Sequence, residues 1–259
     1  MYQAVSESVD PGRPAAGFLE VCERRGLGGV ELVCDAAGEP ARARSNGELA
    51  ELRALFAERG FPIVGIYVTS LEALGQLATA ERSAIVSAPI VAPRGVVPLE
   101  RLAELDALYA KAGGRLLVSH GTVPSDAAEL ARELAERGLE HVALAWEVRP
   151  REDELARAPE VLRAAGERLE YVRLFGGGAE QASMDGLGVG SFIVALGMAR
   201  YEGPLVVCPT SGEHRALWQR WLTSSKSMGC GTAAARAAER RIRITGDFFR
   251  GPAPGNRRS

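Results

Sequence analysis

Histidine is scarce in this sequence: three residues of 259, His120, His141 and His214. A site built from several imidazole ligands is therefore disfavoured. Cysteine is also sparse. Cys22, Cys34, Cys208 and Cys230 are scattered and form no CxxC pair, which argues against a disulfide scaffold and a zinc ribbon. That usage fits a reducing, cytoplasmic compartment. No apolar run reaches the roughly 18 residues of a membrane span. The start, Met1 to Glu7, lacks the basic stretch and apolar core of a signal peptide and reads as a first strand. Charge of either sign is not in excess. Lys and Arg number 31 against 33 Asp and Glu, a net charge of −2. No overall field draws the chain to nucleic acid or to an anionic membrane. There is no GxGxxG after the first strand and no P-loop, so the usual dinucleotide and nucleotide cradles are missing.

What is present is alternation. Short Val-, Leu- and Ile-rich runs are separated by longer amphipathic ones. Strands are expected near Gln3–Ser6, Gly29–Val33, Ile63–Val68, Ala84–Pro89, Arg115–Ser119, Val142–Glu147, Tyr171–Phe175 and Leu205–Cys208. Near-continuous apolar strands with helices between them indicate a buried parallel sheet. Pro14 opens a helix over Ala15–Arg25. Ser45-Asn46-Gly47-Glu48 has capping-box spacing before a helix that ends at Gly60. Further helices are expected over Leu71–Thr79, Leu99–Ala112, Ala127–Arg137, Glu152–Arg168 and Leu187–Arg200, with Pro159 delaying or kinking the one at Glu152–Arg168. After the last strand come a helix at Glu213–Leu222, a Ser/Gly-rich joint and a helix at Thr232–Arg241.

Eight evenly spaced βα units in about 250 residues give the fold class: α/β, a single (β/α)8 barrel of the TIM type over residues 1–245. Residues 246–259, rich in Gly, Pro and Arg, read as a disordered tail. An open doubly wound sheet is the competing architecture.

In such barrels the chemistry sits at the C-terminal ends of the strands. Polar residues at those ends are Glu7, Cys34, Tyr67, His120, Glu147, Arg173 and Cys208, with Glu31 inside strand 2. Three segments carry a family likeness: Gly26-Leu27-Gly28-Gly29-Val30-Glu31-Leu32, Ala112-Gly113-Gly114-Arg115-Leu116-Leu117-Val118 and Tyr201-Glu202-Gly203-Pro204-Leu205-Val206-Val207. Through them the chain resembles the xylose-isomerase-like barrels, which include sugar isomerases, ketose epimerases and abasic-site endonucleases. The resemblance implies one divalent metal, held by a Glu ending strand 5, an Asp ending strand 6, a His on strand 7 and a Glu ending strand 8. At those places this sequence has His120, Glu147, Arg173 and Cys208. Only Glu147 keeps its type, and Arg173 cannot ligate a cation.

Two arrangements of the site are consistent with these residues. In the metal-free one, Glu147 and Arg173 face each other across adjacent strands, within reach of an ion pair. His120 is then the general acid–base group, and Arg173 holds a substrate carboxylate or phosphate or stabilises an enolate. In the other, His120, Glu147 and Cys208 bind a single divalent ion (Zn, Mn, Mg or Co). The bland alternative is that these polar groups only satisfy one another. Glu31 reads as structural or as support for the site, and Cys208 as core.

Glu7 and Tyr67 are expected to line the substrate site. Gly176, Gly177 and Gly178 after strand 7, with Thr210 and Ser211 after strand 8, are candidates to cradle an anion through backbone N–H groups. Leu217, Trp218, Trp221 and Leu222 form an apolar stripe that packs on the barrel or on a second copy of the chain. The expected activity is isomerase-, epimerase- or lyase-type proton transfer on a small polar substrate, without a resident cofactor. The rival is a ligand-binding or regulatory barrel that has lost catalysis. Nucleic-acid repair would need a metal cluster that three histidines cannot supply.

Overall fold

The eight Val-, Leu- and Ile-rich runs become eight parallel strands that close on themselves in sequence order. In the computed structural model they are β1 (Tyr2–Ser6), β2 (Val30–Cys34), β3 (Ile63–Val68), β4 (Ile90–Pro93), β5 (Leu116–His120), β6 (Val142–Val148), β7 (Leu169–Phe175) and β8 (Pro204–Cys208). Closure is made by β1 against β8, Gln3 opposite Leu205 and Val5 opposite Val207. The structure describes residues 1–10, 12–34, 46–70, 74, 88–93, 95–120, 123–149, 152–175 and 189–208. The expected helix at Leu71–Thr79 falls outside these apart from Leu74. The helices after β8, the Trp218/Trp221 stripe, His214, Cys230 and the tail also lie outside them.

Helices lie between the strands in sequence: α1 (Ala15–Arg24), α2 (Asn46–Arg59), α3 (Leu102–Ala112), α4 (Pro124–Glu136), α5 (Glu152–Ala156), α6 (Ala158–Ala165) and α7 (Val189–Met198). Among the described residues, no helix is long and apolar enough to cross a membrane. The effect of Pro159 is a break: the single expected helix becomes α5 and α6, with Pro159 in the first turn of α6, where its missing N–H costs nothing. The same rule moves the start of α4 forward to Pro124. The helix expected from Leu99 opens with a 3-10 turn before α3 begins. Gly113 ends α3 at φ 68°, a left-handed conformation that other residues resist.

One strand was misplaced by the sequence pattern. The expectation was Ala84–Pro89, whereas β4 is Ile90–Pro93. Two apolar runs flank Pro89; residues 84–87 of the first lie outside the described residues, and in the second Ile90 pairs with both Ile66 and Leu116. Pro93, with no N–H to give, closes the short strand.

Alternation divides the apolar side chains into two buried layers. Val5, Leu32, Ile66, Ile90, Val118, Leu144, Trp146 and Val172 face the helices. Ala4, Val91, Leu117, Ala143, Ala145, Tyr171, Val206 and Cys208 fill the barrel. Two irregularities shift this parity. The register slips between β2 and β3, where Val30 is opposite Ile63 but Glu31 is opposite Gly65. It slips again between β6 and β7, where Leu144 is opposite Leu169 but Ala145 is opposite Tyr171. Each slip inserts one residue, Val64 or Glu170, and re-aims the side chains beyond it, as bulges near functional sites do.

Candidate active site at the C-terminal mouth

The second slip has a direct consequence. It turns Tyr171, Arg173 and Phe175 into the barrel, in line with Ala145 and Glu147 of β6. Arg173 is thereby buried at the upper end of the lumen, where a lone guanidinium could not remain. It meets two carboxylates. Its Nε donates to Glu31 Oε2 at 2.9 Å and its Nη2 to Glu31 Oε1 at 3.1 Å. Its Nη1 donates to Glu147 Oε1 at 2.8 Å. The bond pair to Glu31 is the two-pronged geometry that suits a planar guanidinium.

Glu31 is completely buried and richly supplied with donors. Besides Arg173 it accepts from the Tyr171 hydroxyl at 3.1 Å, and the Cys208 thiol lies 3.8 Å from Oε1. Tyr171 can stand there because Gly65 leaves room: a Cβ at Gly65 would sit 2.7 Å from the Tyr171 hydroxyl oxygen. The Arg173 Cζ lies over the Tyr67 ring, 3.4 Å from its centroid, and 4.9 Å from the centroid of the Phe175 ring. Aromatic faces at these distances favour a cation.

Burial governs the titration of the neighbours. It pushes the Tyr67, Tyr171 and Cys208 groups upward, with Arg173 partly opposing the shift, so all three are protonated at neutral pH. Burial works against the charge on Arg173 as well. There the carboxylates of Glu31 and Glu147 outweigh it and hold the guanidinium above its ordinary value. One cation between two carboxylates leaves the cluster with an excess of negative charge. Of the three charged groups Glu147 is the one that reaches water, with its side chain 24% exposed.

The expected Glu147–Arg173 ion pair is therefore present. The expected place for His120 beside it is not what the strand delivers. On β5, Leu117 points into the barrel and Leu116 and Val118 point out. Alternation puts Ser119 inside and His120 outside. The His120 ring is stacked on Trp146 at 6.3 Å and 12°, and Trp146 in turn meets Phe192 of α7 edge-on at 5.4 Å. The set His120, Glu147 and Cys208 is thus not assembled. Among the described residues, no group of three His, Cys, Asp or Glu side chains is arranged to hold a metal ion. The centre of the mouth holds the Arg173 guanidinium, a cation that cannot ligate a metal and repels a second cation. These residues do not fit a divalent cation.

Glu7 follows β1 in a short 3-10 turn, and its Oε1 accepts from the Val33 N–H at 2.7 Å. It braces the ends of β1 and β2. Tyr67 is half-buried in the mouth, with Arg173 over its ring. Gly176, Gly177, Gly178, Thr210 and Ser211 lie outside the described residues. His141 sits at the opposite end, its ring Nδ1 3.3 Å from the Gly114 carbonyl. Sequence reading left out Tyr171, and it placed Ser6 and Ser119 at the ends of strands 1 and 5 without giving these inward serines a role. Their signal was the period of two running from Ala4 to Ser6 and from Leu117 to Ser119.

No protein-family model matches the chain, and no curated protein matches it in sequence. Solved structures do match in fold. An L-ribulose 3-epimerase superposes with a TM-score of 0.64 at 13% identity, covering 97% of this chain and 99% of its own. The 3-keto-D-glucoside 4-epimerase of E. coli gives 0.61 at 14% identity, covering 86% and 98%. A xylose isomerase domain protein of Salmonella typhimurium gives 0.59 at 15% identity, covering 96% and 97%. The likeness shows the (β/α)8 barrel expected from the eight spaced βα units.

Proposed function

We propose that the chain is an isomerase- or epimerase-type enzyme that moves a proton on a small hydroxylated substrate, with Glu147 as the proton-transfer group. The observation that carries this reading is the setting of Glu147. Its carboxylate stands at the C-terminal mouth, partly open to water, and one oxygen is anchored to a buried guanidinium. A base fixed in that way is positioned before substrate arrives. The fold likeness to sugar epimerases supports the substrate class, as an analogy of fold.

The chemistry is set by the surroundings of Glu147. Tyr67, still protonated, is a hydrogen-bond donor to a substrate oxygen that gains charge as a C–H proton leaves. Arg173 has three N–H groups committed to carboxylates, so its role is to hold Glu147 rather than to read a substrate anion. A single accessible carboxylate suits a proton taken from one carbon and returned to its neighbour on the same face of an enediol. Inversion at one carbon calls for a second acid–base group on the opposite face. A lyase-type outcome would result from the same first step if a leaving group sat next to the carbanion.

A panel of aldoses, ketoses and hydroxy acids in deuterium oxide, followed by proton NMR, tests this directly. Loss of a C–H signal with appearance of product is the expected result. Glu147→Gln should slow it by roughly 10²- to 10⁴-fold. Exchange that survives this substitution would remove Glu147 from the role. The second reading, a binding barrel, is favoured by the full engagement of Arg173, which leaves few groups free for chemistry. It predicts ligands that raise the melting temperature with no exchange at any carbon.

A further inference from the structure

We infer that Arg173 is the resident cation of this barrel: its guanidinium fills a cage made by Glu31, Glu147 and Cys208 that, once emptied, binds an exogenous cation. The cage walls come from three different strands, β2, β6 and β8, and the cation is delivered by a fourth, β7. Both oxygens of Glu31 and one of Glu147 lie 2.8 to 3.1 Å from guanidinium nitrogens. The Cys208 thiol closes the Glu31 side, 3.8 Å from Oε1. The Tyr67 ring forms the floor at 3.4 Å from Cζ.

Each wall has a chemical meaning. Two convergent carboxylates demand positive charge, and Glu31, wholly buried, cannot turn to solvent for it. The flat aromatic floor favours a planar, delocalised cation over a compact hydrated one. A truncated residue 173 therefore leaves a hole with the shape and charge of guanidinium. A histidine at 173 would instead bring nitrogen, oxygen and sulfur donors together, a set suited to zinc. The xylose-isomerase-like pattern of a divalent ion at this place is thus replaced by a covalently attached cation, and the wild-type chain has no need of added metal.

The test uses the purified full chain and the variants Arg173→Ala, Arg173→His and Glu31→Leu/Arg173→Leu. Melting temperature and calorimetric titration are followed with guanidinium chloride at low millimolar concentration, with sodium chloride at equal ionic strength, and with zinc or manganese chloride. Arg173→Ala should melt lower than wild type and regain on the order of 5 °C with saturating guanidinium, but nothing with sodium. Arg173→His should take up about one zinc ion per chain, as a single closed site does. If Arg173→Ala does not fold, refolding of Arg173→His with zinc against chelator replaces it, and recovery only with zinc is expected. The double variant, which lacks Glu31, should respond to neither. Two results overturn the inference. One is a divalent ion bound tightly by the wild-type chain and lost in Glu147→Gln. The other is an Arg173→Ala protein indifferent to guanidinium together with an Arg173→His protein indifferent to zinc. These readouts need no turnover, so a failed activity screen leaves the cation cage standing, and a cage that fails because the Arg173 variants ignore guanidinium and zinc leaves Glu147 as a base.

Discussion

Removing the carboxylate of Glu31 should be among the most damaging single changes in the barrel. Glu31 has no exposed surface and Arg173 almost none, 4% of its side chain. Glu31→Leu strands the Arg173 Nε and Nη2 donors and the Tyr171 hydroxyl in a dry interior. Breaking one side of a buried ion pair in this way costs about 3–5 kcal/mol. Glu147→Gln acts on the same guanidinium, but its side chain is 24% exposed and Glu31 still balances the cation. Its cost should be nearer 1 kcal/mol. The decisive variant is the double one, Glu31→Leu/Arg173→Met. It removes both charges and leaves the buried Tyr171 hydroxyl wanting a partner, a penalty of roughly 1–3 kcal/mol, while the Glu147 carboxylate, 24% exposed, turns to water and the Cys208 thiol is a weak donor. The double variant should therefore be more stable than Glu31→Leu alone. Urea unfolding monitored by circular dichroism, with unchanged m values, measures all four corners of the cycle. Single-variant losses that simply add in the double, within about 0.5 kcal/mol, would show that the two side chains are not energetically coupled and would sink this account of the cluster.

The same geometry predicts other outcomes. Gly65→Ala drives a methyl group into the Tyr171 hydroxyl and should cost about 1–3 kcal/mol, part of which Tyr171→Phe in the same chain restores, as melting curves of the two variants would show. Trp146→Ala empties the stack between His120 and Phe192 and should cost about 3–5 kcal/mol in urea unfolding. His120→Phe keeps a flat ring on Trp146. It should shift the melting temperature without slowing substrate deuterium exchange, and a collapse of exchange would return His120 to the active site. Cys22 is buried against the barrel, and burial raises its thiol from the ordinary value to about 12. The folded state then holds this proton more tightly than the unfolded chain. Its contribution to stability is complete below the unfolded thiol range and declines as pH rises from about 9 to about 12, by roughly 1.4 kcal/mol per pH unit. Cys22→Ala should flatten that alkaline decline in a pH series of urea midpoints, relative to wild type.

The contrast between Glu147 and His120 shows which part of the site was legible in the sequence. The barrel came from repetition: eight apolar runs at regular spacing are a signal that survives an error in any one of them, as the slip from Ala84–Pro89 to Ile90–Pro93 shows. The mouth depends on parity, and parity has no redundancy, since a shift of one residue exchanges inside for outside. His120 is the last residue of β5 and looks like the site residue of its strand. Yet Leu117 faces inward, so Ser119 shares its face and His120 joins Trp146 in the outer layer. For β7 the sequence carries no sign of the inserted Glu170, which decides that Arg173 enters the lumen in register with Glu147. Their pairing was readable as adjacency of strands, and Glu31 as structural or supporting; its contact with the guanidinium was not, because β2 lies three strands from β7 around the barrel and only closure brings its carboxylate there. That closure also changes the meaning of Arg173. From the sequence alone it was a partner of Glu147 that could still hold a substrate carboxylate or phosphate. With Glu31 on one side and Glu147 on the other it is spent within the protein, and the charge offered to a ligand at this mouth is the carboxylate of Glu147.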